Sequence, residues 1–483
     1  MRLARGTITA SDFPQLGQWV VMQQEHSVDA AQIEQKLDLY RERGANKVKL
    51  GLTDIDGVIR GKYVSLDKFA GLLADQGGFC DCVFGWDMDD QLYDAGQYTG
   101  WHTGFPDTGF QLLIDSERWI PGEDCPYFVG RFVEQDGSLH PLCPRTRLES
   151  ILDAYAAVGL QVRSGFEYEF FVFDETPHTI REKHYQGLNP LTPGNFGYSV
   201  LRNSSESDLF ASLMDYAAEM DCSLEGLHCE TGPGVWEAAL KAKLGVEAAD
   251  RANLFKTFAK VFFQKQDMLA TFMAKWSMDY PGQSGHYHFS VLDGSDNNVF
   301  YAAGTDAGIS AIQRHAIGGL ERYLPELLVL LAPTINSYTR LVKGAWAPTA
   351  ATWGIENRTT GIRLIPGSAK SQRIECRVGG ADANPYLAAS AVLAAALEGI
   401  EQKLEPTAPV AGNAYDVQDH LPAEQQFPGN LRDAASRFAA SSVAAKYFGQ
   451  SFVDHYSMTR DWEAREYERH INSWQLERYF EIV

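Results

Sequence analysis

Apolar positions recur at helical spacing in Ile33, Leu37 and Tyr40, and with Ser27 or Asp29 as cap they predict one helix after a polar lead-in, within residues 1–45. The pattern then shortens to every second residue. KVKLGLTDIDGVIRGKYV alternates apolar and polar side chains on both sides of Asp56-Gly57, a dipeptide suited to a hairpin. QLLID (111–115) and YFVGRFV (127–133) predict further strands. In HPLCPRTRLESILDAY two prolines precede a clear helical period, which divides the chain near residue 142 into units 1–142 and 143–483. Beyond that point strands and helices mix without the regular alternation of a doubly wound sheet. Ala249, Leu254, Phe255, Phe258, Val261 and Phe262 mark one stripe of a helix over 246–269, Asn384 and Pro385 open another over 384–403, and 430–483 reads as two more. The class expected is α+β.

Four of the expected strands carry polar side chains on one face. In QVRSGFEYEFFVF (161–173), Glu167 and Glu169 leave one face while Phe166, Tyr168 and Phe170 leave the other. A solvated surface would explain such a pair, and so would a shared ligand. LHCETGPGVWEAAL (227–240) flanks a Gly-Pro-Gly turn with Glu230 and Glu237, which a bent backbone could aim at one point. SGHYHFS (284–290) sets His286 and His288 on one face, suiting a metal or nucleotide site and equally a pair of satisfied core histidines. SQRIECRVGG (371–380) puts Arg373, Glu375 and Arg377 opposite Ile374, Cys376 and Val378, either an active-site wall or an ion-paired surface.

Charge narrows these options. Lys+Arg 42 against Asp+Glu 63 gives a formal net charge of −21, which disfavours nucleic-acid and anionic-membrane binding and suits metal chelation. Seven cysteines without a CxxC pair fit a reducing compartment. MRLARGTITASDFPQLGQW lacks an apolar signal core, and no run of about 18 apolar residues occurs, so a cytoplasmic location is expected. Five glutamates and one histidine suit Mg²⁺ or Mn²⁺ rather than zinc. Arg340, Arg358, Arg363, Arg373 and Arg377 suit carboxylate and phosphate oxygens, and metals with arginines around phosphate mean phosphoryl transfer. No P-loop or protein-kinase motif is present.

Taken in order, G-F-E-Y-E-F, E-x₆-E within ETGPGVWE, G-H-Y-H-F-S, N-S-Y-T-R-L-V, N-R-T-T-G-I-R and R-I-E-C-R followed by A-N-P-Y-L resemble the glutamine synthetase family over nearly the whole chain. The resemblance implies an N-terminal β-grasp domain, a catalytic domain on a curved antiparallel sheet with helices, and a homo-oligomer of stacked hexameric rings with active sites between subunits. It implies one metal on Glu169, Glu230 and Glu237 and a second on Glu167, His286 and Glu375, within a total of two or three Mg²⁺ or Mn²⁺ ions. Gly282, Arg340 and Arg377 would bind L-glutamate. His288, Arg358, Arg363, Lys370 and Arg373 would surround ATP, with Arg358 and Arg377 acting in catalysis. The reaction implied is phosphorylation of the γ-carboxylate of glutamate, followed by attack of an amine on the γ-glutamyl phosphate.

Departures from the family pattern concern the amine. The family flap R-L-V-P-G-x-E-A-P reads R-L-V-K-G-A-W-A-P here, so Trp346 stands in place of a glutamate, and F-D-G-S-S reads F-G-W-D-M-D, with Gly85 or Trp86 in place of an aspartate. Pro281 also replaces a usual asparagine in the loop before His286. An amine pocket of Trp86 and Trp346 suits a primary amine larger than ammonia, aromatic or bulky and apolar, as in γ-glutamylanilide or γ-glutamylalkylamide synthetases. Asp87, Asp89, Asp90 and Asp94 near the expected entrance support a polyamine or ethanolamine ligase instead. A true glutamine synthetase and a non-catalytic ring scaffold are the remaining alternatives.

Overall fold

A computed structural model describes residues 29–483, so Ser27 and most of the polar lead-in lie outside the described residues. Asp29 is the cap: its carboxylate accepts from the Ala31 N–H at 3.2 Å, and the helix Ala30–Glu42 buries Ile33, Leu37 and Tyr40. Strands β1 (Lys47–Thr53) and β2 (Ile59–Ser65) form the expected hairpin, in register from Lys47↔Ser65 to Thr53↔Ile59. With β3 (Gly77–Cys80), β4 (Asp107–Leu112), β5 (Arg118–Trp119) and β6 (Pro126–Val133) they build a sheet of order β2-β1-β6-β4-β3, β5 joining β6. Only the β1–β6 pairing is parallel. The strand expected at 111–115 ends at Leu112, because the Ser116 hydroxyl bonds the Leu113 carbonyl at 2.6 Å and curls Ile114–Ser116 into a 3₁₀ turn.

The second sheet is larger and curled. It comprises β7 (Leu160–Phe173), β8 (Leu224–Cys229), β9 (Val235–Leu240), β10 (Lys243–Leu244), β11 (Leu269–Thr271), β12 (Gly285–Asp293), β13 (Trp353–Ile355), β14 (Ile362–Ile365) and β15 (Arg373–Cys376). Its order is β13-β14-β15-β12-β7-β9-β8, with β10 and β11 on β7, and it is antiparallel except for β13–β14. Phe166, Tyr168 and Phe170 of β7 pack into the main core with Phe255, Phe258 and Phe263 of the helix Glu247–Gln264. That helix stops short of residue 269 because Asp267 takes a left-handed φ of 56° and the chain turns into β11.

The helix Pro385–Gln402 is apolar and buried almost all round, as a core helix must be. It lies so close to the helix Ala311–Leu327 that a Cβ on Gly399 would fall 2.5 Å from the Cα of Gly319. The C-terminal region holds four helices rather than two, Leu431–Ala439, Ser442–Phe448, Gln450–Glu468 and Ser473–Tyr479. The Ser441 and Asn472 caps and Gly449 at φ 80° restart the chain between them. The hairpin tip docks on these layers: Asn384 donates to the Asp54 and Ile55 carbonyls at 3.2 Å, and Arg460 pairs with Asp56 at 2.6 Å. All seven cysteines are free, and no helix among the described residues is long and apolar enough to cross a membrane.

Candidate active site

Strand register assembles the polar face. Across neighbouring strands His228 of β8 lies opposite Glu237 of β9, and Glu237 opposite Glu169 of β7. Glu167 of β7 lies opposite His286 of β12, and His288 opposite Glu375 of β15, which in turn faces Arg363 of β14. Because side chains alternate faces, a slip of one residue in any pairing would send its members into the apolar core. The turn between Glu230 and Glu237 is closed by Gly232 at φ 137° and Gly234 at φ 68°, and a Cβ on Gly234 would strike the Val172 carbonyl at 2.4 Å.

Two ligand-like groups result. In the first, His286 Nδ1 lies 3.0 Å from Glu167 and 3.5 Å from Glu375. In the second, His228 Nε2 lies 3.6 Å from Glu230 and 3.4 Å from Glu237. The part-buried Glu169 accepts from the Ser284 N–H at 2.7 Å and faces Glu237 across the strands. Burial, with the Glu167, Glu169 and Glu230 carboxylates around it, pushes the Glu237 carboxyl up to about 10. Burial raises Glu169 as well. Burial opposes ionisation of Glu375, but His286, Arg377, His288 and Arg363 hold it at about 2. Glu167 is held well below the usual range, against burial, by His286 and His288. The Nε2 atoms of His228, His286 and His288 are buried without a hydrogen-bond partner. Crowded carboxylates beside unpartnered imidazole nitrogens form a donor set that fits divalent cations.

Arginines line one side. Arg363 Nη1 donates to Glu375 at 2.9 Å, Arg377 Nη1 to its other oxygen at 2.5 Å, and Arg373 Nε to His288 at 3.4 Å. Arg340 is 2% exposed and gives its donors to the Ser284 hydroxyl and the carbonyls of 377, 378 and 379, the segment that carries Arg377. Gly282 abuts it, leaving 2.7 Å between a Gly282 Cβ and Arg340 Cγ. Arg358 and Lys370 are exposed on loops, and the Arg358 carbonyl accepts from Arg377 Nε at 3.2 Å.

Trp346 stands on the flap, 63% exposed at φ 58°. Trp86 is part-buried under the Arg60 guanidinium, 5.2 Å from its ring, and the two indoles make no ring contact within one chain among the described residues. Three of the four loop aspartates have partners: Asp87 accepts from Trp462 Nε1, Asp90 from Arg60, and Asp94 from Arg465. Sequence reasoning missed His228, although an H-x-E spacing to Glu230 was there to read, and Tyr198, whose ring stacks on His228 at 4.5 Å.

A family profile described as glutamine synthetase, catalytic domain, matches residues 141–479. The chain belongs to the glutamine synthetase family, and is therefore an ATP-dependent acid–amine ligase. It is 41% identical to "Type-1 glutamine synthetase 2" of Dictyostelium discoideum over 90% of this chain and 84% of that protein. It is 32% identical to "Glutamate--isopropylamine ligase" of Pseudomonas sp over 92% of this chain and 97% of that protein. A solved structure described as a GmaS/ADP complex has a TM-score of 0.80 at 25% identity, covering 92% of this chain and 99% of that one.

Proposed function

We propose that the protein joins the γ-carboxylate of L-glutamate to a primary amine larger than ammonia, aromatic or bulky and apolar. The observation that carries this reading is Trp346: an exposed indole on the flap, at the position where the family resemblance expects a carboxylate. An indole removes the negative charge that would attract ammonium and offers a flat apolar surface for stacking. Arylamines are largely unprotonated at neutral pH, so they need no base before attack. The Pseudomonas relative, whose name pairs glutamate with isopropylamine, supports the apolar reading, whereas the Dictyostelium relative carries the name of a glutamine synthetase. The alternative, a polyamine or ethanolamine acceptor, would rest chiefly on Asp89, because Asp87, Asp90 and Asp94 have partners within the chain.

Glu167, His286 and Glu375 would hold one cation and Glu169, Glu230 and Glu237 another, with His228 beside the second pair of carboxylates. ATP, when bound, supplies the phosphoryl group that gives the γ-carboxylate a leaving group better than oxide. His288, Arg358, Arg363, Lys370 and Arg373 would surround it, and Arg358 would neutralise charge that develops during transfer. Gly282, Arg340 and Arg377 would bind glutamate, with Arg340 also bracing the 377–379 backbone. The reading includes a cytoplasmic homo-oligomer of hexameric rings, an N-terminal β-grasp unit ending near residue 142, and two or three Mg²⁺ or Mn²⁺ ions per site.

The test is ADP release with glutamate and a panel of ammonium, aniline, isopropylamine, ethanolamine and putrescine. Aniline or isopropylamine should give the highest kcat/KM, and a panel led by ammonium would return the enzyme to the glutamine synthetases proper.

A further inference from the structure

The flap backbone is held at Trp346 in a conformation that this residue, unlike the nearby Gly344, does not favour. Gly344 sits at φ 79° and Trp346 at φ 58°, and for a bulky side chain a left-handed conformation persists only where neighbouring structure enforces it. The enforcing contacts come from about seventy residues further along, in the short helix Tyr415–Gln418 and its flanks. Tyr415 Oη donates to the Ala347 carbonyl at 2.9 Å. That carbonyl belongs to the peptide joining Ala347 to Pro348, which has no N–H, so it is the peptide's single polar group. Gln418 bonds the Thr349 hydroxyl and donates to the Thr349 carbonyl at 3.4 Å, and Asp419 pairs with Lys343.

The same segment grips the loop that carries Arg358. The Ala414 N–H donates to Thr359 Oγ1 at 2.9 Å, and Asn357 Nδ2 donates to the Gly412 carbonyl at 2.8 Å. Tyr415 is half-buried between these two attachments.

From these contacts we infer that Tyr415 is a positioning residue for amine selection: its hydroxyl, through the Ala347 carbonyl, fixes the strained flap backbone that presents the Trp346 indole. This deepens the amine reading above and rests on it. Gln418 shares the task at the next turn, while Lys343 and Asp419 form an exposed pair that contributes little.

The test is a double-mutant cycle of Tyr415→Phe and Trp346→Ala, with KM for aniline, glutamate and ATP, kcat, and Tm measured for all four proteins. Tyr415→Phe should raise the aniline KM about three- to tenfold, the worth of one neutral hydrogen bond, while kcat and the glutamate and ATP KM values move by less than about twofold. On the Trp346→Ala background the same change should leave the aniline KM unaltered. An equal rise in all three KM values, or an undiminished effect on that background, would overturn the inference. If Trp346→Ala raises the aniline KM and Tyr415→Phe does not, the positioning role fails alone. If Trp346→Ala changes nothing, the amine reading fails and takes this inference with it.

Discussion

Glu375 and Trp346 both belong to the candidate active site, yet one is 1% exposed and clamped by Arg363 and Arg377, while the other is 63% exposed on a loop at φ 58°. The sheet carries the glutamates and histidines in a register set by ladders between neighbouring strands, where a one-residue slip would turn a whole strand's side chains to the other face. The flap is held by a few hydrogen bonds from one short helix, so its side chain can change without disturbing the ladder. The contrast suggests how one family keeps its phosphoryl chemistry while altering its acceptor: the expensive part is built into the sheet and the selective part is hung beside it.

The largest effect should follow from breaking the sheet side. Glu375→Ala leaves the buried Arg377 without its carboxylate partner, while Arg363 keeps Glu356, which should cost about 3 kcal/mol of stability in denaturant titration. It should also lower turnover on the order of a thousandfold in an ADP-release assay. Loss of activity with unchanged stability would mean Arg377 finds another partner and the contrast is overstated.

Next in size is cation binding. At about one hundred times its Kd, Mg²⁺ or Mn²⁺ should stabilise the protein by about 2.7 kcal/mol in a thermal-shift assay. The gain should grow with pH. Glu237 is raised in the fold to about 10, so its contribution to stability is full below the ordinary glutamate value near 4.5 and is lost as pH rises towards 10. In EDTA, stability should therefore fall through that window, and Glu237→Gln should remove most of the slope. Glu375 runs the opposite way: held at about 2, it contributes stability above 4.5 that disappears as the solution is acidified towards 2.

On the flap side, Trp346→Glu should lower the aniline-to-ammonium ratio of kcat/KM by about tenfold or more, with Tm nearly unchanged. The smallest effect should come from Asp94→Asn at the exposed pair with Arg465, within about 0.5 kcal/mol of wild type and without a change in amine ranking. A selective loss of putrescine turnover in that variant would favour the polyamine reading.

Much of the sheet side was legible because a two-residue period fixes which side chains share a face, as with Glu167 and Glu169 or His286 and His288. The order of the strands was not, since β15 reaches β12 and β12 reaches β7 through pairings that no local pattern encodes. The motif marks Arg340 as a candidate glutamate ligand, whereas its burial against the 377–379 carbonyls depends on contacts nearly forty residues apart, which no local pattern encodes. The extra C-terminal helices had local signals in Ser441, Gly449 and Asn472 that the long helical period obscured. The left-handed backbone at Trp346 left no trace, because it is imposed from Tyr415.

One competition decides the central claim most directly. Glutamate, ATP and Mg²⁺ are supplied with equimolar ammonium and aniline in one vessel, and the products are counted by mass spectrometry. A predominance of γ-glutamylanilide is the expected outcome, and a predominance of glutamine would contradict the role given to Trp346.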